Sequence, residues 1–204
     1  MKQTKNIDST SVKLPILTER LRIRKLTRED FDNIYSLCMQ SKSNDWPSGW
    51  NMSKEEASGF LDWQINKYER FDVINDMVPF AIELLEDSTF VGHCHVGSID
   101  DLNETEVAYG ISKQHRGFGY ATEAAVALTK WTLETFNLSY VVATISDDNS
   151  ASLKVIEKAG FSNCGKKELK NFTKERREFN YFRFYNIDKN KTNESTIEEG
   201  TDIL

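Results

Sequence analysis

The sequence predicts a mixed α/β domain in which about four helices cover a mostly antiparallel sheet of about seven strands. Three observations carry this prediction. Short runs alternate apolar with polar or basic residues, four longer runs place apolar residues at helical spacing, and the two kinds follow one another as β-α-α-β-β-β-α-β-α-β-β. The three consecutive strands in the middle read as an antiparallel meander.

Taken in order, Leu21 to Arg24 alternates apolar and basic residues as a strand does. Thr27-x-x-Asp30 is a capping box, and Phe31, Ile34, Tyr35 and Cys38 follow on one helix face. Ser53-x-x-Glu56 opens a second helix that presents Ala57, Phe60, Leu61, Ile65 and Tyr68. Between the helices, Asp45-Trp46-Pro47-Ser48-Gly49-Trp50 is a turn-rich loop whose two tryptophans either pin it to the core or line a site. Phe80 to Leu84, Phe90 to Val96 and Val107 to Ile111 form the meander, with a short turn at Glu86-Asp87-Ser88. A glycine turn at Arg116 to Ala121 opens a helix with Ala121, Ala124, Ala125, Leu128 and Trp131 inward. Strand Tyr140 to Ile145 comes next, then a helix from about Ser150 ended by Gly160, then strands near Phe161 to Lys166 and Phe179 to Tyr185.

At 204 residues, 39% hydrophobic and 28% charged, the chain suits a single soluble domain that buries roughly 70% of the surface of its unfolded form. A net charge of −6 speaks against bulk nucleic-acid binding. No run approaches the apolar length of a membrane span, and Met1 to Lys13 has no apolar signal-peptide core, so the expected location is the cytoplasm with no membrane partner. Cys38, Cys94 and Cys164 are odd in number and form no Cys-x-x-Cys pair, which suggests neither a disulfide framework nor a zinc site. Residues 188–204 hold Lys189 and Lys191 against Asp188, Glu194, Glu198, Glu199 and Asp202, half of the net charge. With so little apolar content this tail is expected to be disordered; residues 1–13 form a flexible N-terminus, leaving 14–187 as the folded domain. Within it Arg20, Arg22, Arg24, Lys25 and Arg28 form one basic group and Lys166 to Arg177 another, while Asp100, Asp101, Glu104 and Glu106 form an acidic rim. These read as opposed fields, suited to an anionic ligand and to an amine.

Chemistry concentrates where a strand ends at Ile111 and a helix begins after Gly117 and Gly119. Such a turn aims unsatisfied amides and the positive end of the helix dipole at one point, and glycine lets a phosphate approach the backbone. A pyrophosphate is the natural guest. The Walker pattern is absent, and Gly117-x-Gly119-x-x-Thr122 lacks the third glycine of a dinucleotide fingerprint. Further on, Asn149-x-x-Ser152 starts a helix that closes with Glu157-Lys158-x-Gly160-Phe161.

With these motifs the chain resembles the GNAT superfamily of acyl-CoA N-acyltransferases, and most closely its ribosomal-protein N-terminal acetyltransferase branch of RimJ/RimL type. Arg116-x-x-Gly119-x-Ala121 is similar to the family's Arg/Gln-x-x-Gly-x-Gly/Ala pyrophosphate loop, continued by Ala121-Thr122-Glu123-Ala124. Thr18-Glu19-Arg20-Leu21-Arg22-Ile23-Arg24 resembles the branch's opening and Glu106-Val107-Ala108-Tyr109-Gly110-Ile111 its middle; the likeness covers about residues 14 to 187.

The resemblance implies a GNAT fold with splayed central strands and acetyl-CoA (coenzyme A) lying between them. By that likeness the backbone of Tyr109, Gly110 and Ile111 holds the pantetheine, and Arg116 with the loop of Gly117, Phe118, Gly119, Tyr120, Ala121 and Thr122 holds the pyrophosphate. Asn149 and Ser152 face the pantetheine and the thioester sulfur. The implied activity is direct transfer of an acetyl group to a primary amine, a protein N-terminal α-amine or a small-molecule amine, through a ternary complex. A backbone N–H near Ile111 would stabilise the oxyanion. Where many family members carry a tyrosine that protonates the leaving thiolate, this chain has Ile156, which makes Ser152 the substitute acid. Ser152 also fits the plain reading of a first-turn hydroxyl bonding its own backbone.

Glu106 is the candidate base, against the plain reading of a solvated strand end. The demand on it depends on the acceptor: at pH 7 an α-amine of pKa about 7.8 is roughly 14% neutral, a lysine amine only about 0.04%. His93-Cys94-His95 lacks partners at metal-ligand spacing and reads as side chains decorating a sheet. His115 either touches a coenzyme A phosphate or is exposed; Glu19 and Glu123 read as fold determinants. The alternative function is a catalytically silent acyl-CoA-binding sensor or interaction domain. A monomer and a homodimer both remain open.

Overall fold

Eight strands form one sheet in the order β1-β2-β3-β4-β5-β6-β8-β7 in a computed structural model that describes residues 12–40, 53–99, 102–170 and 175–186. The strands are β1 (Ile16–Leu17), β2 (Leu21–Arg24), β3 (Met77–Leu84), β4 (Phe90–Ile99), β5 (Glu104–Ile111), β6 (Tyr140–Ile145), β7 (Ser162–Lys170) and β8 (Arg176–Tyr185). The helices are α1 (Phe31–Gln40), α2 (Lys54–Asn66), α3 (Tyr120–Phe136) and α4 (Ser150–Lys158). Every pairing is antiparallel except β5 with β6. The predicted order therefore holds, with one strand added: β1 is two residues long, too short for alternation to register. The third strand in the sheet starts at Met77 and not at Phe80, because Pro79 is accommodated inside it, its carbonyl accepting from the Tyr68 hydroxyl.

Alternation sorts the sheet into two faces. Leu21, Ile23, Ile82, Phe80, Cys94, Val96 and Val107 point to one side and pack with Ala124, Ala125 and Leu128 of α3 in the buried core. The small residues on α3 let its backbone lie close to the strands. Phe71 and Trp131 close the end of this layer, Trp131 meeting Phe80 edge to face at 5.6 Å. The opposite face carries Arg24, Ala81, His93, His95 and Glu106. Here α1 and α2 lie, since Arg24 binds Asp30 at the entry to α1 with 2.8 and 2.9 Å hydrogen bonds. The Thr27–Asp30 box forms as predicted, the Asp30 carboxylate accepting from the Thr27 amide at 2.8 Å. The Arg24 guanidinium and these capping bonds hold the Asp30 carboxyl below the usual range, against the opposing effect of burial.

Among the described residues, much of the two basic groups is paired. Arg22 and Arg24 pair with Glu83, Arg28 with Asp62 and Lys166 with Asp147 and Glu178. Partners distant in sequence neutralise these four residues, which a linear reading of charge misses. The Trp46–Trp50 loop, Asp100, Asp101, the tail and most of the N-terminal segment lie outside the described residues.

Candidate active site

β5 and β6 touch in register at one place only, Glu106 opposite Val142, whereas β4 and β5 pair along their whole length from Gly92–Ile111 to Ile99–Glu104. Beyond Glu106 the two parallel strands part. The edge of β5 at Tyr109, Gly110 and Ile111 therefore faces a split and not a neighbour, and such an edge accepts an extended ligand as an added strand.

At the apex of the split, one Glu106 carboxyl oxygen accepts from the amide of Thr144 at 2.9 Å and from its hydroxyl at 2.6 Å. The carboxyl takes the place of the β5 carbonyl that the parting strands withhold from β6. Burial pushes the Glu106 pKa up to about 7, against the lowering effect of the two Thr144 bonds. Glu106 is therefore neither a solvated strand end nor part of an exposed rim. Its neighbour Glu104 is equally withdrawn from solvent: it accepts from the hydroxyls of Tyr140 and Tyr181 and from Arg183, each at 2.8 Å. Arg183 in turn lies over the Tyr140 ring at 4.3 Å. The group binds β5 to β6 and β8 at the closed end of the split, so Glu104, read as part of an acidic rim, belongs to a clamp.

At the mouth of the split the glycine turn has the predicted form. Gly117 and Gly119 have φ of 87° and 85°, left-handed values that glycine adopts without strain. Gly119 caps α3, and the first bond inside the helix runs from the Glu123 amide to the Gly119 carbonyl at 3.1 Å. The amides of Tyr120, Ala121 and Thr122 thus have no intrahelical acceptor and point outward with the positive end of the dipole. A Cβ at Gly117 would meet nothing within 4 Å, and one at Gly119 only the Arg20 guanidinium at 3.4 Å, so an anion has room to reach the backbone.

The turn is held from outside. Arg20 donates to the Phe118 carbonyl at 3.0 Å and to Glu123 at 2.7 Å, while Thr18 donates to Glu123 at 2.6 Å. Glu123 is a fold determinant as read; Glu19 is exposed. Arg116 turns back, its Nε donating to the Ile111 carbonyl at 3.0 Å, so this bond shapes the entrance to the turn. The exposed Phe118 ring stacks on Tyr120 at 5.8 Å, and His115 shares a 2.7 Å hydrogen bond with Ser112.

On the other flank, Asn149 caps α4, its side chain accepting from the Ser152 amide at 3.1 Å. The Tyr109 hydroxyl spans from β5 to α4 and donates to the Ser152 carbonyl at 3.3 Å; burial raises its pKa above the ordinary tyrosine range. The Ser152 side chain lies beside the Tyr109 hydroxyl, whose pKa it lowers against the effect of burial. Ile156 is fully buried in the core and offers nothing to the split. Thr144, the Tyr109 hydroxyl and the Glu104 clamp were not foreseen. The only local signal was a threonine in the otherwise apolar strand Tyr140 to Ile145.

Comparison with known proteins agrees with this geometry. The sequence model of the acetyltransferase (GNAT) domain matches residues 20–162. The chain is 27% identical over 157 residues to the N-acetyltransferase p20 of Bacillus licheniformis, covering 74% of this chain and 83% of that protein. Its fold is similar to that of a GNAT-family acetyltransferase from Bacillus anthracis, with a TM-score of 0.69, 22% identity, and coverage of 84% of this chain and 98% of that one. It is also similar to the ribosomal L7/L12 alpha-N-protein acetyltransferase RimL in complex with coenzyme A, with a TM-score of 0.68, 17% identity, and coverage of 84% and 96%. A split sheet with a helix start of outward amides at its mouth, and a domain match over most of the chain, lead to one assignment: the chain is an acyltransferase of the GNAT acetyltransferase family.

Proposed function

We propose that the protein transfers the acetyl group of acetyl-CoA directly to a primary amine, with a protein N-terminal α-amine as the acceptor best suited to the site. The observation that carries this reading is Glu106, a carboxyl with a pKa of about 7 at the apex of a split whose mouth is an anion cradle. Acetyl-CoA supplies an activated acyl thioester.

The residues divide the work. Outward amides of Gly117 to Thr122 meet the pyrophosphate, with Arg116 shaping the approach, and the β5 backbone at Tyr109 to Ile111 bonds the pantetheine. Asn149 sets the first turn of α4 so that the Ser152 hydroxyl faces the sulfur. Glu106 takes a proton from the entering ammonium. The neutral amine then forms a C–N bond as the C–S bond breaks, a backbone N–H near Ile111 meets the charge on the acetyl oxygen, and the second proton shed by the attacking nitrogen passes through the Ser152 hydroxyl to the leaving thiolate.

Proton affinity selects the acceptor class. Moving a proton from an α-ammonium of pKa about 7.8 to a carboxyl near 7 is uphill by about 1 kcal/mol, whereas from a lysine of pKa about 10.4 it is uphill by about 5 kcal/mol. The relation of fold to RimL, named for an α-N-protein activity, supports the same choice.

The test is mass spectrometry after incubation with acetyl-CoA and a panel of free-amine peptides, their N-acetylated twins, polyamines and aminoglycosides. The expected product is a peptide heavier by one acetyl group at its α-amine. Tight coenzyme A binding with no acetylated product would favour the sensor alternative.

A further inference from the structure

On the face of the sheet covered by α1 and α2, His95 of β4 pairs with Ala108, two residues from Glu106 on the same side of β5. In a regular sheet such diagonal neighbours lie about 7–8 Å apart, the span that one small polar group bridges. His95 has an unusual state for a side chain set so deep. Its ring lies 6.2 Å from that of His93, yet neither of its nitrogens hydrogen-bonds to any described residue, and neither is among the sealed unsatisfied atoms, where Thr129 Oγ1 stands alone among the described residues. Both nitrogens therefore open on a space that no described residue fills.

We propose that His95 is an acceptor-binding residue, a neutral imidazole that takes a hydrogen bond from the incoming amine and turns its nitrogen toward Glu106. The inference rests on Glu106 being the base, and adds the group that orients the acceptor. The other charged groups of this face are engaged elsewhere: Glu83 with Arg22 and Arg24, Asp30 with Arg24, Glu104 with Arg183. Burial lowers the His95 pKa to about 4, and burial together with His95 lowers His93 to about 3. At neutral pH the His95 ring thus carries one lone pair and one N–H, and it neither repels an ammonium nor competes with Glu106 for the proton. An α-amine donates to that lone pair while the N–H stays available to the carbonyl of the first peptide bond.

The experiment compares wild type, His95→Phe, His95→Gln and Glu106→Gln as full-length proteins, each checked for a native melting transition. The probe is the best acceptor of the peptide and polyamine panel. For His95→Phe the expected result is a KM for the amine raised tenfold or more, an unchanged KM for acetyl-CoA, and an acid limb of the pH profile still centred near that of wild type. His95→Gln, which keeps an acceptor atom, should recover part of the loss. A folded His95→Phe protein with wild-type amine KM overturns the inference while leaving the base intact. Loss of the acid limb in Glu106→Gln supports the base independently. If wild type acetylates no amine, both readings fall together.

Discussion

Glu106 and Thr144 face each other across the point where β5 and β6 part, joined by bonds of 2.9 and 2.6 Å from the threonine amide and hydroxyl to one carboxyl oxygen. One side chain thus closes a gap in the sheet, and in the proposed mechanism its second oxygen is the proton acceptor. The two roles conflict energetically, because a charge useful to an amine is costly to hold away from water.

That conflict has a measurable sign. The folded pKa of Glu106, about 7, lies above its ordinary value of 4.5. The folded state therefore binds more protons between these values, and stability falls as pH rises through that window. Glu106→Gln, which mimics the protonated form, should match wild type in melting temperature at pH 4 and exceed it at pH 8, by a margin on the order of 3 kcal/mol at most. A melting difference independent of pH would show that Glu106 titrates normally. In turnover, kcat/KM of wild type should rise with pH to a plateau above about 7, and Glu106→Gln should lose roughly 10²- to 10⁴-fold.

Gly119 sits in the left-handed region at the start of α3, where the outward amides converge. Glu at this position would bring backbone strain and a negative charge into the seat of a pyrophosphate. Gly119→Glu should abolish coenzyme A binding in calorimetry while the melting transition stays cooperative. Unchanged affinity would place the anion elsewhere.

Much of this site was legible because it is local. Capping boxes, the Gly117–Gly119 turn and the Asn149 cap each depend on residues three or four apart, and the structure places them as read. What was not legible depends on register between distant strands. Thr144 finds Glu106 across 38 residues of chain, Arg183 finds Glu104 across 79, and Glu123 finds Arg20 across 103. No periodicity carries such pairings, so an acidic cluster looked like a rim and an arginine cluster like an open field. The lining of the split by Glu106 follows from two strands ceasing to pair, a property of the sheet and not of either segment.

The clamp at Glu104 carries a stability prediction of its own. Glu104→Gln leaves Arg183 without its carboxylate and weakens the bonds to the Tyr140 and Tyr181 hydroxyls. The expected loss is about 1–3 kcal/mol, read as a melting temperature lower by several degrees, with KM for acetyl-CoA little changed because the clamp lies at the closed end of the split. An unchanged melting temperature would mean that the network contributes nothing net.

Arg20 gives the opposite pattern. It is partly exposed, so its pair with Glu123 adds at most about 1 kcal/mol to stability. Its second bond, to the Phe118 carbonyl, holds the glycine turn in its binding shape. Arg20→Met should leave the melting temperature nearly unchanged and raise KM for acetyl-CoA several-fold, since the turn must then be ordered at the moment of binding. A large melting shift with normal KM would assign Arg20 to the scaffold alone.

Ser152 is the last group whose role is open to direct measurement. Its amide and carbonyl are engaged by Asn149 and Tyr109, which fixes the turn, and its side chain lies beside the Tyr109 hydroxyl, while Ile156 is buried in the core. In the proposed mechanism this hydroxyl is the group on α4 that meets the sulfur. A thiol of pKa about 8.5 leaves tolerably without help, so the effect should sit at the low end of the roughly 10²- to 10⁴-fold range of a general acid. Ser152→Ala should lower kcat and leave KM for acetyl-CoA in place. Tyr109→Phe, which removes the bond to the Ser152 carbonyl, should produce a smaller fall of the same kind. A Ser152→Ala protein turning over at the wild-type rate would remove Ser152 from the chemistry and leave the thiolate to be protonated by water.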